Sequence, residues 1–153
     1  IAQPLGMEDF ALTDTAYEWG SRESVFPWYR FRLSARDLAR FGLLYLRQGE
    51  WQGEQIIPLT WIADSIKPYS DASDWGRGGY GMLWWVTMNG QLFPNVAISG
   101  NAFAGTGRGG DYLVIIPDLD LVVVHRTNPP LSVVSDEDFG TLLKLILDAK
   151  MAQ

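Results

Sequence analysis

Two short runs, Tyr112–Ile116 (YLVII) and Leu121–His125 (LVVVH), are apolar on both alternations of an extended chain. A strand with one wet face alternates polar with apolar residues, so a strand that is apolar on both sides has to be buried on both sides. Pro117-Asp118-Leu119-Asp120 between them reads as a short hairpin loop. Tyr80–Met88 repeats the pattern, with Met82, Trp84 and Val86 alternating against Gly81, Leu83 and Trp85, and Asn89-Gly90 then supplies a type I′ turn. Leu83, Trp85, Val114 and Ile116 need cover on one face of the sheet, and Met82, Trp84, Leu113 and Ile115 need it on the other. The chain offers a helix for one face and little for the other. A partner chain or a missing N-terminal segment is therefore expected to complete the fold.

Helical periodicity is clearest over Ser34–Gln48. Ser34 caps, Asp37 stands three residues later at capping-box spacing, and Leu38, Phe41, Leu44 and Tyr45 form a stripe. Gly49 is the stop. A second short helix has Pro58 in its first turn and Trp61, Ile62 and Ile66 on one face. Ser135 caps a last helix whose first turn, Asp136-Glu137-Asp138, suits the positive end of the macrodipole. Phe139, Leu142, Leu143 and Ile146 are its apolar stripe, and Lys144 interrupts it toward solvent. Residues 1–33 read as irregular. The order helix, helix, antiparallel strands, helix makes this an α+β fold, an antiparallel sheet sandwiched with helices. With 153 residues the chain is one domain or one piece of a larger one.

Composition removes several classes of function. Eighteen acidic against twelve basic residues leave a net charge of −6, and no basic run is present to displace counterions from nucleic acid. Cysteine is absent and His125 is the only histidine. That excludes disulfides, thiol nucleophiles, zinc ribbons and multi-histidine metal sites. Asp118 and Asp120 are too few for a calcium loop. No apolar run reaches the length of about 18 residues that spans a bilayer. The start, IAQPLGMEDF, has neither the basic nor the apolar region of a signal peptide. It also lacks an initiator Met, so a processed, dissected or truncated product is expected.

Six segments in order resemble the serine hydrolases related to class C β-lactamases, a family with penicillin-recognising enzymes, esterases and 6-aminohexanoate-dimer hydrolases among its members. They are Pro4-Leu5-Gly6-Met7, the helix Ser34–Leu44 (SARDLARFGLL), Gln55–Pro58 with Trp61, Tyr80–Trp85 (YGMLWW), Phe103–Asp111, and Ile116–Arg126. The resemblance implies a β-lactamase/transpeptidase-like fold, with residues 1–153 as the C-terminal portion of one catalytic domain. It also implies acyl transfer without a cofactor: a serine attacks a carbonyl, an acyl-enzyme forms, and water resolves it. The implied partner is a small-molecule ester, amide or β-lactam.

Of the family's three catalytic elements, the resemblance places only the third in this chain. Gly105-Thr106-Gly107 stands at the Lys-Thr-Gly position as the substrate-binding strand, and the backbone N–H of Arg108 is the implied second oxyanion donor. Glycine at the first position removes the cation, which favours an ester or amide over a β-lactam carboxylate. Asp111 stands where relatives often carry Gln. No Ser stands three residues before a Lys, and no Tyr-x-Asn occurs. Thr141-x-x-Lys144 and Ser99-Gly100-Asn101 imitate these motifs, on the last helix and in a turn.

A Ser-His-Asp triad built on His125 with Asp118 or Asp120 is the competing catalytic reading. It lacks a Gly-x-Ser-x-Gly elbow, so His125 reads as structural. Trp19, Trp28, Trp51 and Trp75 fall in loops and are expected to plug a core beneath them. Arg30 and Arg32 are expected at the surface. A second function, a non-catalytic module binding a peptide, glycan or partner through its aromatic loops, is the alternative.

Overall fold

The computed structural model describes residues 1–19, 25–128 and 133–152. In chain order the elements are β1 (Thr15–Glu18), β2 (Trp28–Phe31), α1 (Ala35–Leu46), β3 (Glu50–Trp51), β4 (Glu54–Gln55), α2 (Leu59–Ser65), β5 (Ser70–Asp71), β6 (Gly79–Tyr80), β7 (Trp85–Val86), β8 (Gln91–Phe93), β9 (Val96–Ala97), β10 (Phe103–Gly107), β11 (Asp111–Ile116), β12 (Leu121–His125) and α3 (Asp136–Met151). A six-stranded antiparallel sheet runs in the order β12-β11-β10-β7-β6-β5, and β1–β2, β3–β4 and β8–β9 form separate hairpins. The fold is the expected α+β class.

Both faces of this sheet are covered by the chain itself. Val86, Phe103, Leu113 and Ile115 point to Tyr45 of α1 and Ile62 of α2, with Trp84 between them. Ala104, Tyr112, Val114 and Ile116 point to Phe139, Leu143 and Leu147 of α3 and to Leu92, Phe93 and Val96 of the β8–β9 hairpin. This corrects the expectation that only a partner or another segment could seal the second face. The β8–β9 hairpin, folded back by Asn89 and Gly90 at φ +54° and +77°, supplies the missing cover. Two glycines permit the close packing. A Cβ on Gly42 would stand 2.7 Å from Val122 Cγ1, and one on Gly140 would overlap the Pro94 carbonyl.

Helix α1 begins as expected, with the Asp37 N–H donating to Ser34 Oγ, and ends with the Gly49 N–H returned to the Leu44 carbonyl at 2.8 Å. Asp37 does more than its capping-box position implies. Its side chain is fully buried, and its carboxylate accepts from the N–H groups of Glu8 and Asp9 at 3.1 and 3.0 Å and pairs with Arg40 at 2.9 Å. Arg40 reaches on to Glu8, and Arg36 grips Asp9. The Arg36 hydrogen bond, helped by Ser34, holds the Asp9 carboxyl below the usual range. The Pro4–Met7 turn is thereby tied to the start of α1.

Several local expectations are corrected. Residues 15–18 and 28–31 form a hairpin in register Thr15↔Phe31 and Tyr17↔Tyr29, where no strand was expected. The ring of Tyr29 packs tilted against Tyr17 and edge-on to Phe31, with centroids 4.7 and 5.1 Å apart; aromatic pairing across strands substitutes for a clean apolar alternation. The Tyr80–Met88 run is broken at Met82-Leu83, because Leu83 has φ +65° and turns the chain from β6 into β7. Trp19, Trp28 and Trp75 are 65, 49 and 77% exposed and plug no core. Trp61 is exposed on α2, and Leu142 is exposed on α3, where Leu147 takes its place in the stripe.

Candidate active site

Strand β10 is paired along its whole length with β11, from Phe103↔Ile115 to Gly107↔Asp111. On its other side it meets β7 only through Phe103↔Val86 and Ala104↔Trp85. Beyond Ala104 the β7 chain has turned away, so Gly105–Gly107 have no strand partner on that edge. The alternation of an antiparallel ladder decides which groups face it. The Ala102 carbonyl accepts from the Thr87 N–H at 2.8 Å, so Ala102 points its polar groups to the β7 side. Ala104 and Thr106 follow at steps of two. Thr106 therefore turns its backbone groups toward the open edge, Gly105 and Gly107 turn theirs toward β11, and Arg108 follows in the turn beyond the strand. Arg108 is exposed.

The turn that carries Arg108 is braced from behind. Asp111 Oδ1 accepts from the Thr127 N–H at 2.9 Å, and Thr127 Oγ1 donates to the Gly109 carbonyl at 3.0 Å. Arg126 pairs with Asp111 at 3.3 Å, and the Val134 N–H donates to the Gly109 carbonyl at 3.1 Å. His125 belongs to this bracing. Its Nδ1 lies 2.8 Å from the Gly110 carbonyl, and its ring packs on Tyr112 and Phe139. His125 is thus engaged structurally, as expected. Asp120 is held by Arg47, whose hydrogen bond keeps its carboxyl below the usual range, so Asp120 is engaged elsewhere than at His125.

Behind the edge lies a network that the sequence did not announce. Trp85 Nε1 donates to Thr106 Oγ1 at 3.0 Å. The Arg77 guanidinium lies 4.4 Å from the Trp85 ring centroid and 5.2 Å from that of Phe93 and pairs with Asp136. Asp136 also accepts from Tyr112 Oη at 2.9 Å. Burial, and then this bond to Asp136, push the Tyr112 phenol well above its usual range. Arg77 is 8% exposed and was missed because a lone Arg between glycines reads as a loop residue; the neighbouring aromatics were its only signal.

Gly105 is not forced by packing. A Cβ there would make only an ordinary contact with Trp84 Cζ3, at 3.7 Å, so a larger residue is not excluded by a clash at its Cβ. Ser99-Gly100-Asn101 is a bend, with Gly100 at φ +91° against Asp118. Among the described residues no group of three or more His, Asp or Glu side chains is arranged to hold a metal ion. No described helix is long and apolar enough to cross a membrane. An apolar cavity of about 510 Å³ lies between the first 33 residues and α1, lined by Met7, Phe10, Tyr29, Phe31, Leu38 and Phe41 among others.

A β-lactamase family profile matches residues 1–145. The chain belongs to the β-lactamase family. Among solved structures, this β-lactamase-family chain is similar to a protein described as a 6-aminohexanoate-dimer hydrolase from Bacillus anthracis, at 28% identity and a TM-score of 0.57. The match covers 81% of this chain and 30% of that one. No curated protein matches the sequence.

Proposed function

We propose that this chain is the third-motif portion of a serine hydrolase that cleaves an ester or amide bond through an acyl-enzyme, and that the serine and lysine come from a segment outside it. The observation that carries this reading is the open edge of β10. In this reading the N–H of Arg108, in the braced turn that follows the strand, is the fixed oxyanion donor. In the proposed reaction the serine oxygen attacks the carbonyl carbon as its proton passes to a base on the other segment. The carbonyl oxygen takes the negative charge against the Arg108 N–H. Collapse expels the alcohol or amine, and water repeats the sequence to release the acid. Gly105 offers no cation to hold a β-lactam carboxylate, which favours esters and amides. The similar Bacillus anthracis protein takes its name from a dimer joined by an amide bond, in keeping with this preference.

The need for another segment rests on chemistry, since the sequence contains neither Ser-x-x-Lys nor Tyr-x-Asn. The apolar cavity beside Phe10 and Phe31, with Leu12 and Phe31 exposed in its wall, suits such a segment as neighbour. The test is an intact enzyme that carries both parts. Arg108→Ala keeps the backbone N–H and should leave kcat within a few-fold. Arg108→Pro removes it and should lower kcat about 100-fold or more with the melting temperature held. Equal effects of the two substitutions overturn the oxyanion role.

A further inference from the structure

Among the described residues, six other than glycine hold a left-handed backbone: Gln48, Gln52, Asn89, Asn95, Asp120 and Leu83. Five are polar residues in turns. The sixth is a branched apolar residue at φ +65° whose side chain is 84% exposed. A Cβ is disfavoured in this conformation, and an exposed leucine recovers nothing by burial. Neither the local backbone nor packing within the chain accounts for a leucine here, and such outliers gather at functional sites.

Its position supplies the account. Leu83 stands at the tip of the β6–β7 turn, which is fixed by the Gly81 N–H on the Trp84 carbonyl at 2.7 Å and the Met82 N–H on the Ser65 carbonyl at 2.8 Å. Leu83 stands two residues before Trp85, whose partner Ala104 is the last residue of β10 paired on that side, so it sits in the turn where the open edge begins. A second large apolar side chain approaches from the α3 face. Trp75 is 77% exposed and packs edge-on to Trp85 at 6.3 Å, and Trp85 holds Thr106. Two strongly exposed apolar groups thus flank one short length of unpaired strand.

We propose that Leu83 and Trp75 form an apolar wall that receives an apolar chain carried by the substrate and so set its specificity. This deepens the reading of the β10 edge as a substrate site and rests on it.

The test uses the intact enzyme with p-nitrophenyl esters of increasing acyl length and with acetate esters of increasing alkyl length. Leu83→Gly suits the left-handed backbone, so its melting temperature should equal or exceed that of the parent. Its kcat/KM should be within two-fold of the parent on p-nitrophenyl acetate and about ten-fold lower on the longest members of one series, through KM. Trp75→Ala should shift the same series in the same direction. Losses that are equal across chain lengths, or absent in both variants, overturn the wall. A parent enzyme with no serine-dependent turnover of any ester would instead overturn the hydrolase reading beneath it.

Discussion

The indole N–H of Trp85 donates to the hydroxyl oxygen of Thr106 across 3.0 Å. An indole is a donor only, so Thr106 must accept from it, and the hydroxyl proton is turned elsewhere. The bond ties the one side chain of Gly105-Thr106-Gly107 to the adjacent hairpin, and the Arg77 guanidinium stacked on the same indole ties that hairpin to Asp136 on α3. Helix α3 is thereby linked to β10 through Asp136, Arg77 and Trp85.

A double-mutant cycle measures this tie. Trp85→Phe keeps a ring for Arg77 and removes the donor, and Thr106→Val removes the acceptor. Urea unfolding of the two single variants and the double variant should give a coupling of about 1 kcal/mol, the net worth of a partly buried hydrogen bond. A coupling of zero would show that the two groups do not interact.

Asp37 is the second test of the fold. Its buried carboxylate accepts two backbone N–H groups and pairs with Arg40. Asp37→Ala leaves those donors without an acceptor and should cost about 3 kcal/mol or more. The Arg36–Asp9 pair is exposed, so Arg36→Ala should cost far less than Asp37→Ala. Comparable losses at both sites, measured by urea unfolding, would contradict the anchoring of the first turn by Asp37.

Much of this architecture is legible in the residues. Val114 and Leu113 on opposite alternations demand a sheet covered on both faces, Ser34 and Ser135 mark helix starts, and Asn89-Gly90 marks a left-handed turn; each depends on a rule that acts within a few residues. The cover of the second face was not legible. Leu92, Phe93 and Val96 lie in strands of three and two residues, too short for a period to show. The β1–β2 hairpin was hidden because its aromatics are exposed, so no core side fixes an alternation. Within the site, the Gly-Thr-Gly run drew attention by resemblance. Arg77 did not, because a buried guanidinium is recognised only by the Trp85, Phe93 and Asp136 that gather around it from three elements.

Tyr112 gives the fold a dependence on alkaline pH. Burial and the Asp136 carboxylate raise its phenol above the usual value near 10. In the unfolded chain the phenol ionises near pH 10, whereas in the fold it keeps its proton. The stability linked to it is complete below about pH 10 and is lost as pH rises toward the folded value. Urea unfolding at pH 9 and pH 11 should therefore show a larger loss for the parent than for Tyr112→Phe, which has no proton to lose at this site. Equal losses would contradict the raised phenol.

The most direct test of the account is made on the 153-residue chain alone, treated with a fluorophosphonate probe for activated serines and assayed on p-nitrophenyl acetate and nitrocefin. With no Ser-x-x-Lys in its sequence, the chain should show no covalent adduct by mass spectrometry and no turnover above buffer. One adduct per chain, on any of its own serines, together with turnover that the probe abolishes, would contradict the claim that the nucleophile lies elsewhere.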